Sequence, residues 1–170
     1  KHWHQYLNSG KNKEMLIDFL YQQWHNAAYA GKLGRLKMIF AHSNTCHMFT
    51  DNGDEVSVVP VPALFSDHIE ADTRLLLHAQ HAGQEYSNII ISSPDTDVFL
   101  LVISCLQSID AHLFVRLSAT SLCDVTRVKA VYSEEICSAL VGLHCYTGCD
   151  SISSFRGKGK KSALSVLKKY

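Results

Sequence analysis

No run of apolar residues in this chain approaches the length of a membrane span. The longest, Val98–Leu106, has nine residues if Ser104 is admitted, against about 20 for a helix that crosses a bilayer. No basic stretch followed by an apolar one opens the sequence, so no signal peptide is read. Net charge is lacking as well. The 16 basic and 16 acidic residues cancel, and the whole-chain charge points to no polyanionic partner. The six cysteines include no C-x-x-C pair. His144, Cys145 and Cys149 have a spacing that matches no common zinc site. A G-x-S-x-G elbow, a P-loop and a dinucleotide fingerprint after a strand are all missing, which removes the hydrolase-triad, P-loop and Rossmann-enzyme readings. Repeats, low-complexity tracts and linkers are lacking too.

What is present fits one packed domain. The 170 residues are 46% hydrophobic and 19% charged, a composition that excludes disorder and a collagen-like chain. Cys105 in an apolar run and Cys137 in a helical pattern read as small hydrophobes. Reduced thiols and the lack of a leader give the expectation of an intracellular protein, nuclear or cytoplasmic and not secreted. The sequence opens at Lys1, as expected of a segment of a longer chain.

Periodicity predicts an amphipathic helix over 11–24, with Leu16, Phe19, Leu20 and Trp24 at helical spacing. Short strands are predicted at Leu36–Ala41, Cys46–Thr50 and Val56–Val59, with the turn Asp51-Asn52-Gly53-Asp54 before the last. A helix follows over Asp67–Ala82, stopped by Gly83. The unalternating run Asn88–Ser93 reads as a buried parallel strand. Thr96–Leu106 reads as a helix, His112–Leu117 and Arg127–Tyr132 as strands, Glu134–Thr147 as a helix capped by Ser133, and Lys158–Lys169 as a last helix. Alternation of strand and helix from residue 67 predicts an α/β domain with a largely parallel sheet covered on both faces. The hairpin-like segment 36–59 would make that sheet mixed.

Charge is segregated along the chain. Residues 61–100 carry Asp67, Glu70, Asp72, Glu85, Asp95 and Asp97 against Arg74 alone. Residues 156–170 carry Arg156, Lys158, Lys160, Lys161, Lys168 and Lys169 and no acid. Such a division suits a protein that holds divalent cations with its acids and a phosphate backbone with its bases. Asp95 and Asp97 follow a predicted parallel strand directly, where open sheets bind ligands. The plain alternative is a turn after which either Asp95 or Thr96 caps the next helix. Asp67 and Glu70 have capping-box spacing. Asp72 shares a helix face with Leu75, Leu76 and Ala79, so it points to the sheet edge and needs a cation or hydrogen-bond partner. Asp150 ends a helix exit through Gly148 and Cys149. At the basic end, Gly157-Lys158-Gly159-Lys160-Lys161 opens a helix, where bare backbone and free N–H groups favour phosphate.

In order and spacing, Ile69-Glu70-Ala71-Asp72, Ser92-Ser93-Pro94-Asp95-Thr96-Asp97, Thr147-Gly148-Cys149-Asp150 and Phe155–Leu164 resemble four elements of the flap endonuclease and 5′–3′ exonuclease superfamily. The Ser-Pro-Asp-Thr-Asp wording is closest to the exoribonuclease branch. The whole also looks like a poorly characterised group of mobile-element-associated animal proteins. The resemblance covers about residues 66–168 and implies a three-layer α/β/α PIN-like domain with a mainly parallel sheet, ending in a helix-two-turn-helix. Residues 1–150 would be the core, and 151–170 the start of the phosphate-binding element. It further implies that Glu70, Asp72, Asp95, Asp97 and Asp150 ligate one or two Mg²⁺ or Mn²⁺ ions and that Gly157, Lys158, Gly159, Lys160 and Lys161 hold a phosphate of DNA or RNA. The superfamily's early aspartate has no counterpart here, since Asp18 lies in an amphipathic helix and Asp51 and Asp54 in a turn. Two functions follow as expectations: a metal-dependent nuclease, or a catalytically silent PIN-like module that binds nucleic acid or protein.

Overall fold

A computed structural model of the chain describes residues 2–68, 71–149 and 152–169. The chain divides into two compact units, residues 1–69 and 70–170. Among the described residues, no helix is long and apolar enough to cross a membrane.

In the first unit, helices α1 (Trp3–Leu7) and α2 (Gly10–Trp24) precede an antiparallel meander of β1 (Met38–His42), β2 (Thr45–Asp51) and β3 (Val56–Pro60). Tyr21 of α2 stacks on His42 at 4.7 Å, and Asp18 Oδ1 lies 2.6 Å from His42 Nε2. Phe49 and Cys46 are fully buried beneath. Asp51 accepts from the Gly53 amide at 2.7 Å and the Leu33 amide at 3.2 Å. The Gly53 amide above all, with those of Leu33, Gly31 and Gly34, outweighs desolvation and holds the Asp51 carboxyl below its ordinary pKa. Asp18 and Asp51 thus have local structural work, as their sequence positions imply.

The second unit carries a three-stranded sheet. Strand β4 (Asn88–Ser92) pairs in parallel with β5 (His112–Ser118), and β6 (Ser121–Asp124) returns antiparallel to β5. Around it lie α3 (Ala71–Gly83), α4 (Thr96–Ser104), α5 (Val125–Val131), α6 (Glu134–Thr147) and α7 (Lys160–Leu167). The core joins Ala79 of α3, Ile91 of β4, Val98 and Val102 of α4, Leu113 and Val115 of β5, Val125 of α5 and Cys137 of α6. Full burial of a Val, Leu or Ile side chain among them contributes about 1.5–3 kcal/mol, so these elements are mutually dependent. No disulfide joins the cysteines among the described residues.

The architecture is mixed α/β, as expected, but parallel pairing is confined to β4–β5 among the described strands. β4 forms one edge of its sheet, and Ile90 is 50% exposed, so the apolar run Asn88–Ser93 is not covered on both faces. Residues 127–132 are helix and coil rather than a strand. Asp124 starts α5 by accepting from the Arg127 amide at 3.1 Å, and Val125 and Val128 then fall one turn apart on the core face. Desolvation of Asp124 is outweighed by that amide, the His112 ring at 3.0 Å and the Arg127 charge, so its pKa is lowered. The edge strand β6 has no counterpart in the sequence prediction.

Gly148 ends α6 at φ 97°, and a Cβ there would lie 2.7 Å from the Ser154 Cβ. Gly142, inside α6, has nothing within 4 Å of such a Cβ. Gly148→Ala is therefore expected to lower unfolding stability by roughly 1–3 kcal/mol. Gly142→Ala is expected to raise it by about 0.5–1 kcal/mol. Urea denaturation of both variants checks the pair, and equal midpoints would remove the packing role assigned to Gly148.

Candidate metal and phosphate sites

Strand β4 delivers Ser93-Pro94-Asp95 to its carboxyl end. The Ser93 amide donates to the Arg116 carbonyl at 3.1 Å, one step beyond β4. The Asp95 amide donates to the buried Ser93 hydroxyl at 3.2 Å. Asp95 is the N-cap of α4, and its Oδ1 accepts from the Asp97 amide at 2.8 Å. The capping alternative for this turn is thus realised at Asp95. An exposed carboxylate has about four acceptor sites, so one amide does not exhaust it.

Asp97 sits in the first turn of α4, where the helix dipole favours an acid. Its Oδ1 lies 2.9 Å from Nε2 of His144 in the last turn of α6. His144 is only 9% exposed. The contact has ion-pair distance without the alignment of a hydrogen bond. This approach brings the carboxyl end of α6, and hence Gly148-Cys149, to the edge that carries Asp95 and Asp97. Cys149 and Ile152 then exchange two backbone hydrogen bonds, at 3.0 and 3.2 Å.

Asp72 lies in the first turn of α3, half-buried and engaged in a polar interaction. Glu70 and Asp150 lie outside the described residues, so the expected convergence of all five carboxylates extends beyond what is described. Among the described residues, no three His, Cys, Asp or Glu side chains gather closely enough to hold a metal ion. The carboxylates are the right kind of donor for Mg²⁺ or Mn²⁺. Asp95 and Asp97 occupy a strand end suited to ligand binding. A complete ligand set there requires more than the described carboxylates assemble.

The basic element is a turn followed by a helix. The Lys158 amide donates to the Phe155 carbonyl at 3.0 Å, with Gly157 third in the turn at φ 77°, a conformation that glycine adopts without strain. Gly159 is the N-cap of α7, with no side chain to occupy the first-turn amides. A Cβ at either glycine would meet open space, so neither residue is required by packing. Lys158, Lys160 and Lys161 are all exposed. Lys168 is used differently: its Nζ lies 3.0 Å from the Tyr132 hydroxyl, over that ring.

His144 is the site residue that sequence reasoning did not assign to the acids. The signal was present in its spacing. Cys137, His144 and Thr147 are the buried residues of α6, and a histidine on a buried helix face needs a polar neighbour. Nothing local in the sequence identifies that neighbour as Asp97. No family model, curated protein or solved structure matches this chain.

A double-mutant cycle measures the Asp97–His144 contact. Asp97→Ala, His144→Ala and their combination are expected to show about 0.5–3 kcal/mol of coupling in urea unfolding. Strict additivity would mean that proximity alone, without energy, relates these two helix ends.

Proposed function

We propose that the second unit belongs to a metal-dependent nuclease of PIN-like type that hydrolyses phosphodiester bonds in DNA or RNA. The observation that carries this reading is the placement of Asp95 and Asp97 at the carboxyl end of a parallel strand, with the end of α6 held beside Asp97 by His144. On this reading Asp95 and Asp97, with Glu70, Asp72 and Asp150, hold one or two Mg²⁺ or Mn²⁺ ions. When bound, such ions activate water and stabilise the leaving oxygen. His144 fixes the Asp97 carboxylate, and the Ser93 turn fixes Asp95. The glycine-flanked lysines Lys158, Lys160 and Lys161 hold the backbone of the nucleic acid. Residues 151–170 would then open a helix-two-turn-helix after a core that ends near residue 150.

A second reading has its own support. Asp95 is engaged as a cap, Asp97 faces His144, and the described side chains include no three-membered metal-ligand group. A catalytically silent PIN-like module that binds nucleic acid or protein would look like this.

Metal linkage separates the two readings. For the nuclease, Mn²⁺ or Mg²⁺ should raise the unfolding temperature, since an ion at 100 times its Kd adds about 2.7 kcal/mol. Asp95→Asn with Asp97→Asn should abolish that shift while preserving the fold, because asparagine is also a good N-cap. A shift that persists in the double variant excludes these ligands. Wild type without any shift, yet binding nucleic acid, favours the silent module.

The lysines should behave in the opposite way. Lys160→Ala with Lys161→Ala should weaken nucleic-acid binding alike across sequences, because phosphates carry no base identity. The salt dependence should fall by about one log–log unit per lost contact, with the metal response intact. Salt-titrated binding to one labelled oligonucleotide provides the check. An unchanged slope would place the substrate away from this loop.

A further inference from the structure

Between α6 and α7 lies an open groove of about 640 Å³, within the size range that takes small organic groups. Gly142 and Tyr146 of α6 and Ala163 and Val166 of α7 form its walls, with Gly157 and Lys158 at its side. Tyr146 is 54% exposed and the neighbouring Phe155 is 62% exposed. Their ring centroids lie 5.3 Å apart, with the planes tilted by 36°. Two exposed aromatic rings in contact with each other thus lie next to the phosphate-favouring turn. The stretch 156–170, which follows Phe155 in the sequence, has six cations and no acid.

That combination selects a ligand class. An anionic backbone complements the cations, while the rings require a flat apolar partner at the same time. A duplex satisfies only the first demand, because its base faces are stacked on one another. A single strand satisfies both. We propose that Tyr146 and Phe155 form a stacking platform for bases of a single-stranded nucleic acid whose backbone is held by Lys158, Lys160 and Lys161. The proposal rests on the reading of residues 157–161 as a phosphate-binding loop and adds to it a preference for unpaired bases.

The test uses the whole chain, with EDTA present so that no strand is cut. Fluorescence anisotropy compares a labelled oligothymidylate, an abasic strand of the same length and a duplex of that length. Wild type should bind oligothymidylate at least about tenfold more tightly than the abasic strand, the scale of one base on one aromatic ring. Tyr146→Leu with Phe155→Leu keeps apolar bulk and removes both rings. It should erase that difference while leaving abasic binding and the salt slope unchanged. Tyr146→Phe should retain the difference. Equal wild-type affinity for the two single strands, or tighter binding of the duplex than of oligothymidylate, overturns the platform, and this wild-type comparison holds even if a variant does not fold. Failure to bind any of the three overturns both the platform and the phosphate loop. A missing metal response leaves the platform standing.

Discussion

The approach of His144 to Asp97 is the constraint on which the candidate site depends. It joins the first turn of α4 to the last turn of α6 across 2.9 Å. A histidine ring this deeply placed has little water to satisfy it, and the Asp97 carboxylate is a polar group that approaches it. The two helices also share core contacts through Val98, Val102 and Cys137. Apolar burial supplies the attraction between them. The polar contact adds direction to that attraction, since it is made only where the first turn of α4 meets the last turn of α6.

The same economy runs through the rest of the edge. Asp95 is an N-cap, Ser93 anchors the turn, and Gly148 provides a backbone geometry that other residues adopt only with strain. Each has a sufficient structural reason to be where it is. The structural role does not displace a chemical one. A cap accepts one hydrogen bond and leaves most of a carboxylate's acceptor capacity available. It also holds the side chain in one rotamer, which a ligand would otherwise have to do at an entropic cost.

Legibility in the sequence followed the range of the interactions involved. Helices α2, α4 and α6 were readable because their signals are local: apolar spacing in α2, and the caps Asp95 and Ser133 in the other two. The last helix was readable as well, although it begins at Lys160 rather than Lys158, after a turn at Gly157 that the sequence reading did not include. Residues 127–132 were misread because Val128, Val131 and Tyr132 are β-branched or aromatic and favour a strand until the Asp124 cap is counted. Strand β6 was invisible because it has four residues and an exposed Leu122. It exists through its ladder with β5 rather than through its own composition. The acids were legible as a group of residue types, but the neighbour of Asp97 was not, because it lies 47 positions along the chain, at His144.

Helix α6 relates the acidic edge to the basic groove. His144 and Tyr146 are two residues apart, which at about 100° per residue puts them on nearly opposite faces of the helix. The buried face, through His144, meets Asp97, and the exposed face, through Tyr146, lines the groove with α7. On the proposed function, a strand held in the groove and cleaved at the acids crosses from one face of α6 to the other past its carboxyl end. The chain turns there at Gly148, where a larger residue would strike Ser154. The position that the backbone most strictly reserves for glycine is also the corner that a strand joining the two regions would have to pass.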